Sequence, residues 1–223
     1  MVAGALGVLM MVLSGPGTRW GWWDFRVGLL LFAGAGLMGL IAAGVGTAVW
    51  LRSRDQRGAA LFAALGVALM AVLLWQFLAA RKAPPIHDVT TDLADPPRFS
   101  AVVAARGSDP GGIDPGTAVI HRKGYADLAP VVLPMTAEQA FARAVAAAEE
   151  MQWQIVSRRP EEGMLEATAT TGWFGFQDDI AVRIRPLPEN RAQVDVRSTS
   201  RVGKSDVGAN AKRIRAFLAR LRS

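Results

Sequence analysis

The sequence predicts an α+β protein: apolar helices at the N-terminus, then a small domain with an antiparallel sheet and two helices on one face. Three observations carry this. Residues 1–80 are almost continuously apolar, whereas residues 81–223 have the mixed composition and length of one globular domain. Residues 164–200 alternate apolar and polar side chains with a period of two. Beyond residue 205 the apolar residues recur at helical period. The predicted order in the domain is strand, helix, four strands, helix. This helix-grip-like arrangement leaves a groove beneath the last helix.

In the apolar part, residues 27–51 and 58–80 contain no charge and number 25 and 23. At about 1.5 Å per residue, each can cross a hydrocarbon core about 30 Å thick with some tilt. Residues 2–14 are fewer, but they lack the basic start and small-residue cleavage site of a signal peptide. They are read as a first span whose start is clipped or lies upstream. Trp20, Trp22, Trp23 and Phe25 suit a headgroup-level aromatic belt. Ala35, Gly39 and Ala43, like Ala60, Ala64 and Ala68, are small residues four apart, a spacing that lets membrane helices approach. Gly44 and Gly46 lie within a span and read as packing, with no phosphate-loop motif around them. Arg52, Arg54 and Arg57 favour a cytoplasmic loop between the second and third spans, which would put residues 81–223 outside the cytoplasm. Arg19, Arg26, Arg81 and Lys82 on the other side weaken that bias.

Residues 81–127 read as linker and irregular loops, and residues 128–223 as the α+β domain. Two Pro-Pro pairs make the start of the linker extended. Residues 107–118, rich in glycine and proline, read as one long loop. Residues 128–133 form a first strand. Thr136 and Gln139 then form a capping box for a helix that turns Ala140, Phe141, Ala144, Val145 and Ala148 inward. Trp153 and Ile155 begin the next strand, and Leu165, Ala167 and Ala169 face inward on the one after. Ile180, Val182 and Ile184 alternate with Ala181, Arg183 and Arg185, as in a strand with one wet face. The turn residues 186–190 make the following strand, with Val194 and Val196, its hairpin partner. The closing helix starts near Ser205 or Asp206 and presents Val207, Ala211, Ile214, Phe217, Leu218 and Leu221 in one stripe.

The chain's net charge is +6. Residues 81–223 carry 20 Lys and Arg against 17 Asp and Glu, so the domain itself is only +3 and its charge does not argue for nucleic acid. The absence of cysteine excludes disulfides, thiol chemistry and cysteine-held metals. His87, Asp88 and Asp92, with Asp95, are weak metal candidates, because their spacing matches no EF-hand or zinc pattern and local turn hydrogen bonds in a solvated linker explain them better. Asp178 and Asp179 are adjacent carboxylates that acid–base chemistry can use with His87 or His121. Neighbours on a strand point to opposite faces, however, so only one can serve a given pocket. Arg201, Gly203, Lys204, Ser205, Asp206 and Asn210 place cations and glycine-freed amides at a helix start. That is either an anion or phospholipid-headgroup site or an ordinary N-cap. Trp173 and Phe174 join the ligand-binding candidates from the turn before Asp178.

Three motifs carry a resemblance: PPIHDVTTD with the following DPPRF at residues 84–99, ATTGWFGFQDD at 169–179, and DVRSTSRVGKSDVGANAKRIRAFL at 195–218. Together they resemble the bacterial domain-of-unknown-function family numbered 1499, over residues 84–223. Gly172 and Gln177 stand where a bulkier residue and a lysine are expected. The resemblance implies no established activity. At fold level alone there is a looser likeness to helix-grip domains of envelope assembly lipoproteins. The expectation is a multi-pass bacterial inner-membrane protein with a periplasmic domain that binds a lipid headgroup or another envelope protein. No cofactor and no nucleic acid are expected. The alternative is a hydrolase or transferase using Asp178 or Asp179 with a histidine.

Overall fold

The structure, a computed structural model, describes every residue except 1, 53–56 and 109. Arg54, with the loop used to argue orientation, lies outside the described residues. The chain divides into two compact units. The first comprises residues 1–81 with Thr171–Gly175, and the second comprises Lys82–Thr170 with Phe176–Ser223.

The helical unit contains α1 (Val2–Arg19), α2 (Phe25–Arg52) and α3 (Arg57–Lys82), each long and apolar enough to cross a membrane. Helix α1 continues through Gly15, Pro16 and Gly17, beyond the apolar run that announces it. Glycine sets the α2–α3 approach. A Cβ on Gly66 would lie 2.4 Å from both the Ala43 amide nitrogen and the Gly39 carbonyl oxygen, so backbone meets backbone there. Leu30, Leu61, Val67 and Trp75 are left exposed, as a lipid-facing surface requires.

The second unit is built on one sheet. Its strands are β1 (Asp88–Thr90), β2 (Val131–Leu133), β3 (Gln154–Arg159), β4 (Met164–Thr170), β5 (Gln177–Leu187) and β6 (Arg191–Ser200). Every pairing is antiparallel, in the order β1-β6-β5-β4-β3, with β2 sharing the outer edge of β6 with β1. Short helices α4 (Val103–Arg106) and α5 (Pro115–Gly124) precede β2, α6 (Ala137–Glu150) follows it, and α7 (Ala209–Arg222) closes the chain.

One face of the sheet carries Leu165, Ile180, Val182, Val194 and Val196 against α6 and α7, all buried. Thr136 accepts the Gln139 amide and Gln139 returns the bond, so the predicted capping box forms. Trp153 stacks on Phe217 with ring centroids 5.0 Å apart and planes 22° apart. Between β3 and β4, Gly163 has φ 65°, and a Cβ there would stand 2.1 Å from the Ile184 carbonyl oxygen. Only glycine fits that turn.

Three details differ from the sequence reading. Helix α7 begins at Ala209, and Val207 stands outside it with φ 54° and half its surface exposed. The glycine- and proline-rich stretch is not all loop, because Asp114 caps α5 and accepts the Thr117 amide at 3.0 Å, with Pro115 at the first helical position. The largest difference is the face expected to be wet. Ala181, Asp195, Arg197 and Thr199 are almost completely buried there. Residues 92–108 and 110–114 run across that face as a strap, and Phe99 and Val102 pack on Ala181 beneath it.

Candidate functional site

The covered face is held by charge. Glu166 of β4 is wholly buried. Its carboxylate accepts three successive amides at the start of α4, from Ser100 (3.0 Å), Ala101 (3.2 Å) and Val102 (3.1 Å). The Ser100 hydroxyl at 2.6 Å and Arg159 at 2.9 Å complete its shell. Burial alone would push this carboxyl up, but those donors hold it down at about 2. Glu166 therefore fixes α4, and α4 ends in Arg106.

Arg106 reaches Asp179 at 3.3 Å and the Ser200 carbonyl at 3.0 Å. Arg201 binds the same carboxylate, with Nη2 at 2.8 Å and Nε at 3.0 Å from the two oxygens, and the Thr168 hydroxyl donates at 2.8 Å. Two guanidinium groups thus share one buried carboxylate. Further along the face Asp195 receives Arg183 at 3.1 Å and Arg185 at 2.9 Å, while Arg183 reaches Asp95 of the strap at 2.8 Å. Asp92 joins both arginines at 3.3 Å, and its carboxyl is pushed up by burial but held below its ordinary value by strap amides and the arginines. Arg197 is among the largest fully buried side chains. It forks onto Asp88 at 3.0 and 2.6 Å, donates to the Gly111 carbonyl at 2.9 Å, and lies 5.1 Å from the Phe99 ring centroid.

Asp178 points to the helix face, where Arg213 meets it at 2.6 Å. Arg213 also donates to Asn210 Oδ1 and to the Ser198 hydroxyl. The wholly buried Asn210 donates to the His87 carbonyl at 3.0 Å and the Ser200 hydroxyl at 3.1 Å. Asp206 accepts the Gly208 and Asn210 amides at 2.8 and 2.7 Å, but the N-cap position is Gly208, and among the described residues no arginine pairs with Asp206. Its pKa is raised, chiefly by burial, with Asp178 adding to it. His121 is buried, accepts the Thr90 amide at Nε2 (3.2 Å), and is driven by burial toward its neutral form. The described hydrogen bonds of Asp178 and Asp179 include no histidine. Burial also lifts the neighbouring Tyr125 to about 12.

The candidates therefore separate. Asp178, Asp179, Asp88, Asp92, Arg201, Asp206 and Asn210 are joined to the frame. Ser205 accepts the Val207 amide at 3.3 Å, and Gly203 turns the chain at φ 90°. Trp173 and Phe174 fall among the residues that cluster with the helical unit. Among the described residues no three side chains are placed to hold a metal ion. His87 and Lys204, far apart in sequence, come together. They line a cavity of about 330 Å³ with Arg106, Asp88, Asp114 and Thr117. A second cavity of about 340 Å³ lies across Gly112 and Ile113, beside Arg98 and Arg197.

Sequence reasoning missed Glu166, Arg106 and Arg197. The available signal was parity: Glu166, Thr168, Asp179, Arg183, Asp195 and Arg197 all fall on one face once the strands are in register, and Arg183 stands opposite Asp195.

These features define a class: an α+β domain whose sheet buries an apolar face under two helices and an ionic face under a strap, preceded by three apolar helices. The chain belongs to the family described as Protein of unknown function (DUF1499), which matches residues 88–221. No curated protein matches it.

Proposed function

We propose that this chain is a membrane-anchored, non-catalytic binding module of the bacterial envelope, and that its ligand enters the cavity between His87, Arg106 and Lys204. One observation carries the reading. The carboxylates that acid–base chemistry would need are fastened to arginines, whereas Lys204 is exposed on the cavity wall with no salt bridge among the described residues. A cavity of this size suits a headgroup or small molecule better than a protein segment. The three apolar helices favour a multi-pass inner-membrane protein, and the arginines flanking the loop between the second and third helices favour a periplasmic domain.

Native mass spectrometry of the full chain, released from native membranes in nanodiscs, tests this. Wild type should retain a small ligand that His87→Ala and Lys204→Ala lose. Retention of no ligand, or equal retention by both variants, overturns the reading. The hydrolase or transferase alternative predicts instead that Asp179→Asn abolishes cellular function at unchanged stability.

A further inference from the structure

We infer that the His87–Arg106–Lys204 cavity is a site for a phosphate ester, a deepening that rests on the binding-module reading above. Arg106 and Arg201 share the single carboxylate of Asp179, which leaves that cluster with one positive charge in excess. Lys204 adds another. Of the two carboxylates on the wall, Asp88 is forked by Arg197 and Asp114 is engaged by the first turn of α5. Asp114 keeps its own negative charge, so the wall carries one positive charge in net, although the domain is nearly balanced overall.

The Arg106 side chain is only 8% exposed, yet its Nε–H has no acceptor among the described residues. The hydroxyl of buried Thr199, on the strand beside Asp88 and Asp179, likewise has no partner. Buried donors are seldom left without acceptors, and a bound anion is one of the ordinary reasons. Arg106 is one of the residues that line the cavity.

The donors come from separate segments: His87 enters β1, Arg106 ends α4, and Lys204 lies between β6 and α7. A carboxylate is matched by one planar fork. Donors converging from several sides match the three terminal oxygens of a phosphate monoester. Asp88 and Asp114 keep acceptor oxygens for hydroxyl or ammonium groups on the esterified alcohol. A lipid headgroup and a soluble phosphate ester share this chemistry.

The test uses the full chain in phosphatidylcholine nanodiscs, titrated calorimetrically with sn-glycerol 3-phosphate and, in parallel, with glycerol. A second arm places phosphatidic acid in the nanodiscs and follows bound lipid by native mass spectrometry. Glycerol 3-phosphate should bind and glycerol should not. Lys204→Ala should weaken binding about tenfold, the order of one charge-assisted contact, and Lys204→Arg should restore it. Binding of glycerol 3-phosphate alone assigns a soluble ester, and retention of phosphatidic acid assigns a lipid. If neither binds, or if Lys204→Ala and His87→Ala bind as wild type does, the phosphate site is refuted. A non-phosphorylated native ligand released by Lys204→Ala would refute the phosphate class and leave the binding module standing. Retention of no ligand at all would remove both.

Discussion

Glu166 does at the residue scale what a ligand does elsewhere: it supplies an anion to three consecutive amides. Replacing it with glutamine removes the charge and leaves Arg159 half-paired with Glu162. Glu166→Gln should cost about 2–3 kcal/mol in denaturant unfolding, the scale of a buried charged hydrogen bond lost. The pH dependence follows in sign. The folded pKa of about 2 lies below the ordinary value of 4.5, so the stabilisation is full above 4.5 and is lost as pH falls toward 2. His121 acts in the same direction at higher pH, because a buried neutral histidine must take up a proton on acidification. A pH series of thermal transitions should therefore fall on the acid side, and Glu166→Gln should flatten the part below 4.5. Asp179→Asn should lower the transition as well, since it strips the shared partner from Arg106 and Arg201.

At the scale of elements, the strap and α7 grip opposite faces of one sheet by different means. Phe217 fills the apolar face and stacks on Trp153, so Phe217→Ala should cost about 3–5 kcal/mol. The strap is irregular and held mainly by ion pairs. Hydrogen exchange should show residues 92–108 opening earlier than β5 and β6, and high salt should widen the gap. The sheet and both packed helices were legible because each has a clean period and its own turn or cap chemistry. Strand β1 was not, because three residues carry no period, and its pairing to Arg197–Thr199 is set by a contact about a hundred residues away. The strap was hidden for a related reason: Arg183 and Asp195 look like solvent-facing residues until another segment covers them. For the candidate site, proximity in sequence misled. Arg201 to Asn210 looks like a cluster, yet the chain sends Arg201 to Asp179, Asn210 to Ser198 and only Lys204 to the cavity.

For the whole molecule, three helices able to cross a membrane and one folded domain set the questions of address and labour. Paired reporters fused after Ser223 should be active outside the cytoplasm and silent within it, as the arginines flanking the loop between the second and third helices predict. On the proposed function, the charges of the domain fall into those that hold the fold and those that meet a ligand. Melting Glu166→Gln and Lys204→Ala side by side, in the full chain, tests that division most directly. Glu166→Gln should melt several degrees below wild type, and Lys204→Ala should melt as wild type does. If Lys204→Ala falls as far as Glu166→Gln, Lys204 belongs to the frame and the cavity loses its ligand-binding cation. If Glu166→Gln melts as wild type does, the strap is not held by charge.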